Sequence, residues 1–193
     1  MRVALTGTHG VGKTTVFEKV KERRPDAAFF SEAVRHQMLA FGLGHPIDDV
    51  CRKYGIGAFE LFNMNTWSVI DPSVNTELRA DRLVITDRST IDSFAYFLAM
   101  QSTLFDSHLE PLVLKIAQYY ASLYDLFIYF PRDVFPLVGD DMRPDSIEFQ
   151  RKVDACLWRA FGIFETPEKK IHRLQATTVD ARVEEVLALL PAL

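Results

Sequence analysis

Residues Gly7-Thr8-His9-Gly10-Val11-Gly12-Lys13-Thr14 fit the pattern G-x-x-x-x-G-K-[ST]. Such a pattern constrains the fold more than composition does, because it works only between a strand and a helix. Before it stands Arg2-Val3-Ala4-Leu5-Thr6, a short run of apolar and β-branched residues, and the residues from Val16 to Arg23 after it read as a helix. The glycines let backbone N–H groups turn inward around a phosphate, and the helix N-terminus adds positive potential. Lys13 is then placed to reach the β and γ oxygens of a nucleoside triphosphate, and Thr14 to hold Mg2+. The expected ligands are ATP or GTP with Mg2+. Thr15 either contacts a phosphate oxygen or extends the first helical turn. His9 sits at a variable loop position and is expected to be exposed, and Lys13 is expected to face solvent without nucleotide. The competing reading is a glycine-rich turn that merely joins a strand to a helix.

With 193 residues, 48% of them hydrophobic, the chain can bury one substantial core. No charged or Pro/Gly-rich stretch divides it, so residues 1–193 are expected to form one domain, with a lid segment near 132–145. The net charge of -4 argues against a broad nucleic-acid-binding surface. Cys51 and Cys156 offer neither metal spacing nor a disulfide framework, which fits a reducing compartment. A first strand at residue 2 leaves no room for a signal peptide, and no apolar run approaches a membrane span. A cytoplasmic location is the expectation, and a homodimer is left open.

Further strands are expected at 27–30, 82–86, 126–130 and 170–174, and helices starting with 31–39 and ending near Gly42 and Gly44, at 55–79 (broken or kinked at Pro72), 90–100, 110–124, 146–165 and 179–190. Strands alternating with helices give an α/β fold, a doubly wound parallel five-stranded sheet, whose ligands lie beyond the carboxyl ends of the strands. Three segments besides the glycine loop should reach that edge: Ser31-Glu32-Ala33-Val34-Arg35, Asp87-Arg88-Ser89 and Asp140-Asp141-Met142-Arg143.

That order of motifs resembles the nucleoside and nucleotide kinase group of P-loop NTPase proteins. Within it, the chain resembles the small AAA-type ATPase/kinase family that includes the ribosylnicotinamide kinase domain of the bifunctional NAD-biosynthesis regulator. Where that family's lid usually carries Gly before the residue preceding its Arg, this chain has Asp141. The resemblance implies an ATP-dependent phosphotransferase acting on a nucleoside, deoxynucleoside or ribosylnicotinamide. Two alternatives stay open: a nucleoside monophosphate kinase resembling thymidylate kinase, and a regulatory P-loop NTPase or nucleotide-binding switch.

Glu32 is the candidate general base for an acceptor hydroxyl; otherwise it is a helix N-terminal acid favouring the dipole. Asp87 suits a carboxylate holding Mg2+ through water or Thr14, or else an N-cap for the next helix. Arg88 is expected to clamp acceptor or phosphate oxygens with its planar fork, or to form a surface ion pair. Arg143 would approach the transferring phosphoryl group from the lid, with Arg132 a further lid cation; the alternative is a solvated loop charge. Arg35 either binds the acceptor or pairs with Glu32 one helical turn away. The resemblance places Phe62 and Trp67 on the acceptor side, where a ring could stack on one of them; most aromatics at such spacing are core.

Overall fold

The apolar runs read as strands do form one sheet, and the side on which each residue points explains their near-continuous hydrophobicity. The computed structural model describes residues 1–31, 63, 82–104, 110–137, 146–167 and 170–192. Within them the elements are β1 (Arg2–Thr6), α1 (Lys13–Arg23), β2 (Ala28–Phe30), β3 (Val84–Asp87), α2 (Thr90–Leu104), α3 (Glu110–Ser122), β4 (Leu126–Tyr129), α4 (Ile147–Ile163), β5 (Ile171–Arg173) and α5 (Val179–Leu189). Nearly all of the helical segment expected at 55–79, and of the helix expected to start at 31, falls outside the described residues. The five strands are ordered β2-β3-β1-β4-β5 and every pairing is parallel. This is the doubly wound α/β sheet expected of the chain.

Val3, Leu5, Ile85 and Ile128 turn to one face and meet Val16, Phe17 and Val20 of α1 and Val183 and Val186 of α5. Ala4, Phe127 and Tyr129 turn to the other, against Phe94 and Phe97 of α2, Val113 and Ala117 of α3, and Leu157 and Phe161 of α4. With both faces covered, a strand gains by being apolar at every position. Each such side chain, fully buried, contributes about 1.5–3 kcal/mol. The central strands are therefore a firm base for whatever stands at their carboxyl ends.

Boundaries shift where loop chemistry decides them. α1 begins at Lys13, ahead of the apolar run at Val16, because left-handed Gly12 (φ 83) lets the helix start directly from the loop. β3 begins two residues later than expected, so Asp87 is its last residue. Ser146 caps α4 as expected, its hydroxyl accepting from Phe149 N at 3.1 Å. β1 lies between β3 and β4, and its end is in register with theirs, Leu5 opposite Asp87 and Thr6 opposite Tyr129. The glycine loop and the Asp87 turn therefore leave the sheet side by side, at the position where open α/β sheets bind ligands. Among the described residues no helix is long and apolar enough to cross a membrane.

Candidate active site

Three glycines give the loop its shape. Gly7, Gly10 and Gly12 have φ of 140°, 72° and 83°, conformations that disfavour side chains. No side chain caps the first turn of α1, so its N-terminal N–H groups suit an anion at the mouth of the loop. Lys13 departs from expectation. It is 5% exposed, and its Nζ folds back across the loop to donate to Gly7 O at 2.8 Å and Thr8 O at 2.5 Å. An ammonium has three donors and no acceptor, and the turned carbonyls at the loop entrance take two of them. Thr15 is exposed on the first turn of α1.

His9 also corrects the sequence reading, being 3% exposed. Its backbone N–H donates to Tyr96 Oη at 3.0 Å, its Nδ1 lies 3.0 Å from the same oxygen, and its ring packs on Phe149. Gln150 of α4 donates to His9 O at 2.8 Å. The side chain that a variable loop position suggested was solvated instead anchors the loop to α2 and α4. Tyr96 and Gln150 carried no sequence signal, since their role depends on how α2 and α4 pack.

Thr14 Oγ1 donates to Asp87 Oδ2 at 2.9 Å, bringing together the two residues assigned to metal. Two hard oxygens beside a phosphate cradle suit Mg2+, which prefers carboxylate, hydroxyl and phosphate ligands. The N-cap alternative for Asp87 fails. Ser89 takes that place, accepting from Ile91 N at 3.2 Å, while Asp92 accepts from Ser89 N at 2.8 Å. Ser89-Thr90-Ile91-Asp92 is a capping box legible in the sequence, and it is the signal by which Asp92 could have been found.

Arg88 is buried, which excludes the surface ion pair. Its backbone takes φ 86°, uncommon for a non-glycine residue, and its N–H donates to Leu5 O at 3.0 Å. The guanidinium lies 4.9 Å from the Tyr96 ring centroid and 3.4 Å from Gly7 O. It therefore stands beside the loop entrance, stacked on an aromatic face.

The segment after β4 rests on the outside of the loop. A Cβ built on Gly12 would lie 3.2 Å from Phe135 Cε2, and one on Gly10 2.4 Å from Leu137 Cδ1. Arg132, the further lid cation of the sequence reading, is turned toward α4. It pairs with Asp133 at 2.5 Å and donates to Asp154 at 3.3 Å, while Tyr129 Oη donates to Asp154 at 2.6 Å. With a carboxylate on each side, its charge is offset locally. Glu32, Arg35, Phe62, Trp67, Arg143 and the 138–145 part of the lid segment lie outside the described residues.

Arg182 of α5 was not anticipated. Fully buried at 0% exposure, it donates from Nη1 to Val11 O at 2.7 Å and from Nε to Ala176 O at 2.9 Å, with its Cζ over the rings of Phe130 and Phe135. Nη2 has no hydrogen-bond partner among the described residues, and burial pushes the guanidinium pKa down. One planar fork thus joins the phosphate loop to the loop between β5 and α5. That second loop is also held by Glu185, which accepts from Ala176 N at 2.9 Å, Gln175 N at 3.0 Å and His172 Nε2 at 2.8 Å. Burial pushes the Glu185 carboxyl up, but these bonds together hold it below its usual value. Arg182→Met keeps the aliphatic contacts and removes both donors, so it is expected to destabilise the fold by about 1–3 kcal/mol. Arg182→Lys should recover only part of that, because one ammonium cannot reproduce the fork. Urea melts check this, and equal midpoints for Met and wild type would contradict the assignment.

A family model described as an AAA domain matches residues 2–182. No curated protein matches the chain. Among solved structures, thymidylate kinase from Candida albicans superposes with TM-score 0.65 at 15% identity, over 97% of this chain and 89% of that one. Deoxyadenosine kinase from M. mycoides, solved with dCMP and dCDP, gives 0.62 at 14% identity over 97% of each chain. The NadR protein in complex with NAD and AMP-PNP gives 0.63 at 19% identity, over 100% of this chain and 51% of the NadR chain, so this chain spans about half that protein's length. At such identities the likeness is one of fold, an α/β P-loop fold that the thymidylate kinase and the deoxyadenosine kinase also have. By the family match and by its own phosphate loop, the chain belongs to the AAA domain family of P-loop proteins.

Proposed function

We propose that the chain is a cytoplasmic, Mg2+-dependent kinase that transfers the γ-phosphate of ATP to a nucleoside-like acceptor of nucleoside, deoxynucleoside or ribosylnicotinamide type. The observation that carries this reading is the pairing of Thr14 with Asp87 at 2.9 Å, at the mouth of a glycine loop crossed by Lys13 and flanked by Arg88. Two kinases of nucleosides or nucleotides among the similar folds support it.

In this mechanism the loop N–H groups and Lys13 bind the β and γ phosphate oxygens, and Arg88 orients either the γ-phosphate or the acceptor. Thr14 and Asp87 would hold Mg2+, which when bound offsets negative charge on the phosphates. Glu32 accepts the proton leaving the acceptor hydroxyl. On the resemblance, Arg35, Phe62 and Trp67 would contact the acceptor. The segment 132–145 excludes water, and Arg143 meets the charge that develops on the transferring group.

The test is ADP formation by the purified protein with ATP or GTP, across nucleosides, nucleoside monophosphates and ribosylnicotinamide. Turnover with an unphosphorylated acceptor is expected. Turnover with monophosphates alone would replace the reading by a nucleotide kinase, and hydrolysis indifferent to every acceptor would favour a regulatory NTPase. Glu32→Gln should lower acceptor phosphorylation by about a hundredfold while ATP binding survives. Unaltered turnover in that variant would return Glu32 to a purely structural role.

A further inference from the structure

Asp92 is 1% exposed on the first turn of α2, and its two oxygens are divided between two loops. Oδ1 accepts from Thr6 Oγ1 at 2.9 Å and Gly7 N at 3.0 Å, where β1 becomes the phosphate loop. Oδ2 accepts from Ser89 N at 2.8 Å and Ser89 Oγ at 2.9 Å, two residues past Asp87. β1 and β3 are paired in register as far as Leu5 and Asp87, and Arg88 N still reaches Leu5 O at 3.0 Å. Past that point one chain enters the loop and the other enters α2. A side-chain carboxylate continues the connection that the ladder has stopped making.

We propose that Asp92 is the positioning residue that holds the Asp87-Arg88-Ser89 turn against the entrance of the phosphate loop, setting where Asp87 stands relative to Thr14 and Lys13. The inference rests on the phosphotransfer reading above for its kinetic consequence. The bland account is a helix cap, and it explains only half of the contacts. A capping box needs the Oδ2 bonds to Ser89; nothing in it calls for Oδ1 to bind Thr6 and Gly7. A carboxylate suits this place because it accepts on both oxygens, so four donors are met by one group. Asn has a single accepting oxygen and turns an NH2 toward the remaining donors, so Asp92→Asn releases one of the two loops.

The experiment compares wild type with Asp92→Asn, Thr6→Val and Val186→Ala. Thr6→Val removes one donor to Oδ1 and leaves the cap intact. Val186→Ala truncates the core under α5 and shows what loss of stability does by itself. Each is measured for thermal midpoint, for the Mg2+ concentration giving half-maximal binding of fluorescent ATP, and for kcat and KM with an accepted substrate. The binding readout needs no acceptor, so it reports on Asp92 even if the kinase reading fails through want of any accepted substrate.

Asp92→Asn is expected to raise the Mg2+ half-saturation several-fold and to lower kcat by roughly tenfold or more with a smaller change in the KM for ATP, since a misplacement near 1 Å costs up to about a hundredfold. Thr6→Val should move the Mg2+ value the same way by less, and Val186→Ala should lower the midpoint alone. If Asp92→Asn does not fold, Thr6→Val against Val186→Ala decides the matter. A melting shift without any change in Mg2+ dependence, or a Mg2+ shift of the same size in Val186→Ala, would overturn the proposal.

Discussion

Lys13→Ala is expected to lower kcat by about a thousandfold or more, the scale seen when a fixed charge or donor is removed from a developing anion in an enclosed site. The effect has two sources that separate cleanly. On the proposed mechanism the ammonium moves onto the phosphate oxygens when nucleotide binds, and its loss would then remove charge stabilisation that water cannot supply equally well. Without nucleotide it ties Gly7 O and Thr8 O together, so the substitution also takes a donor from each of these carbonyls in a buried place, Gly7 O keeping the 3.4 Å bond from Arg88. That second loss costs about 1–3 kcal/mol. Lys13→Ala should therefore melt measurably earlier than wild type while remaining folded, instead of matching it as an exposed lysine would. ADP formation with an accepted substrate and a thermal melt check both halves. Near-wild-type turnover in folded Lys13→Ala would rule out transfer at this loop.

What the sequence disclosed, and what it hid, follows the range of the interactions involved. Val3-Ala4-Leu5 and Phe127-Ile128-Tyr129 are apolar throughout because helices cover both faces of the sheet, so these strands could be found without knowing their neighbours. The glycine loop was legible because its geometry is local, as was the Ser146 cap. His9 was misjudged for the opposite reason, since its surroundings come from Tyr96, Phe149 and Gln150, which no linear pattern brings near. Lys13 was misjudged within the loop itself, because its partners are the Gly7 and Thr8 carbonyls and the motif does not say which way they turn. Arg182 is the extreme case. A lone arginine on an amphipathic helix reads as a surface charge, yet it lies 0% exposed against Val11, 171 positions away in sequence. Asp92 falls between these cases, since its capping half is readable from Ser89 and its loop half is not. The acceptor-side candidates Glu32, Arg35, Phe62 and Trp67, and the lid candidate Arg143, keep the standing they have from sequence and resemblance.

Gly7→Ala should be strongly damaging for a change of a single methyl group. Gly7 has φ 140°, and a Cβ there would lie 2.8 Å from the carbonyl oxygen of Phe130 and 3.3 Å from its Cβ. Neither neighbour can yield easily. Phe130 N donates to Thr6 O at 2.9 Å and Leu174 N to Tyr129 O at 3.0 Å, which fixes the end of β4 between two strands. Gly7 cannot move the other way without losing its own N–H bond to Asp92 at 3.0 Å. Backbone strain of about 1–3 kcal/mol and overpacking of similar size together threaten much of a domain's stability, about 5–15 kcal/mol in all. The control is Gly162→Ala in α4, where an added Cβ meets nothing within 4 Å. There alanine suits a helix better than glycine by about 0.5–1 kcal/mol, so the midpoint should rise. The same added methyl group thus carries opposite signs at two positions, and urea melts of both variants read the difference directly. A Gly7→Ala protein as stable as wild type would mean that the loop entrance can rebuild itself, and the shape assigned to the phosphate cradle would then have to be abandoned.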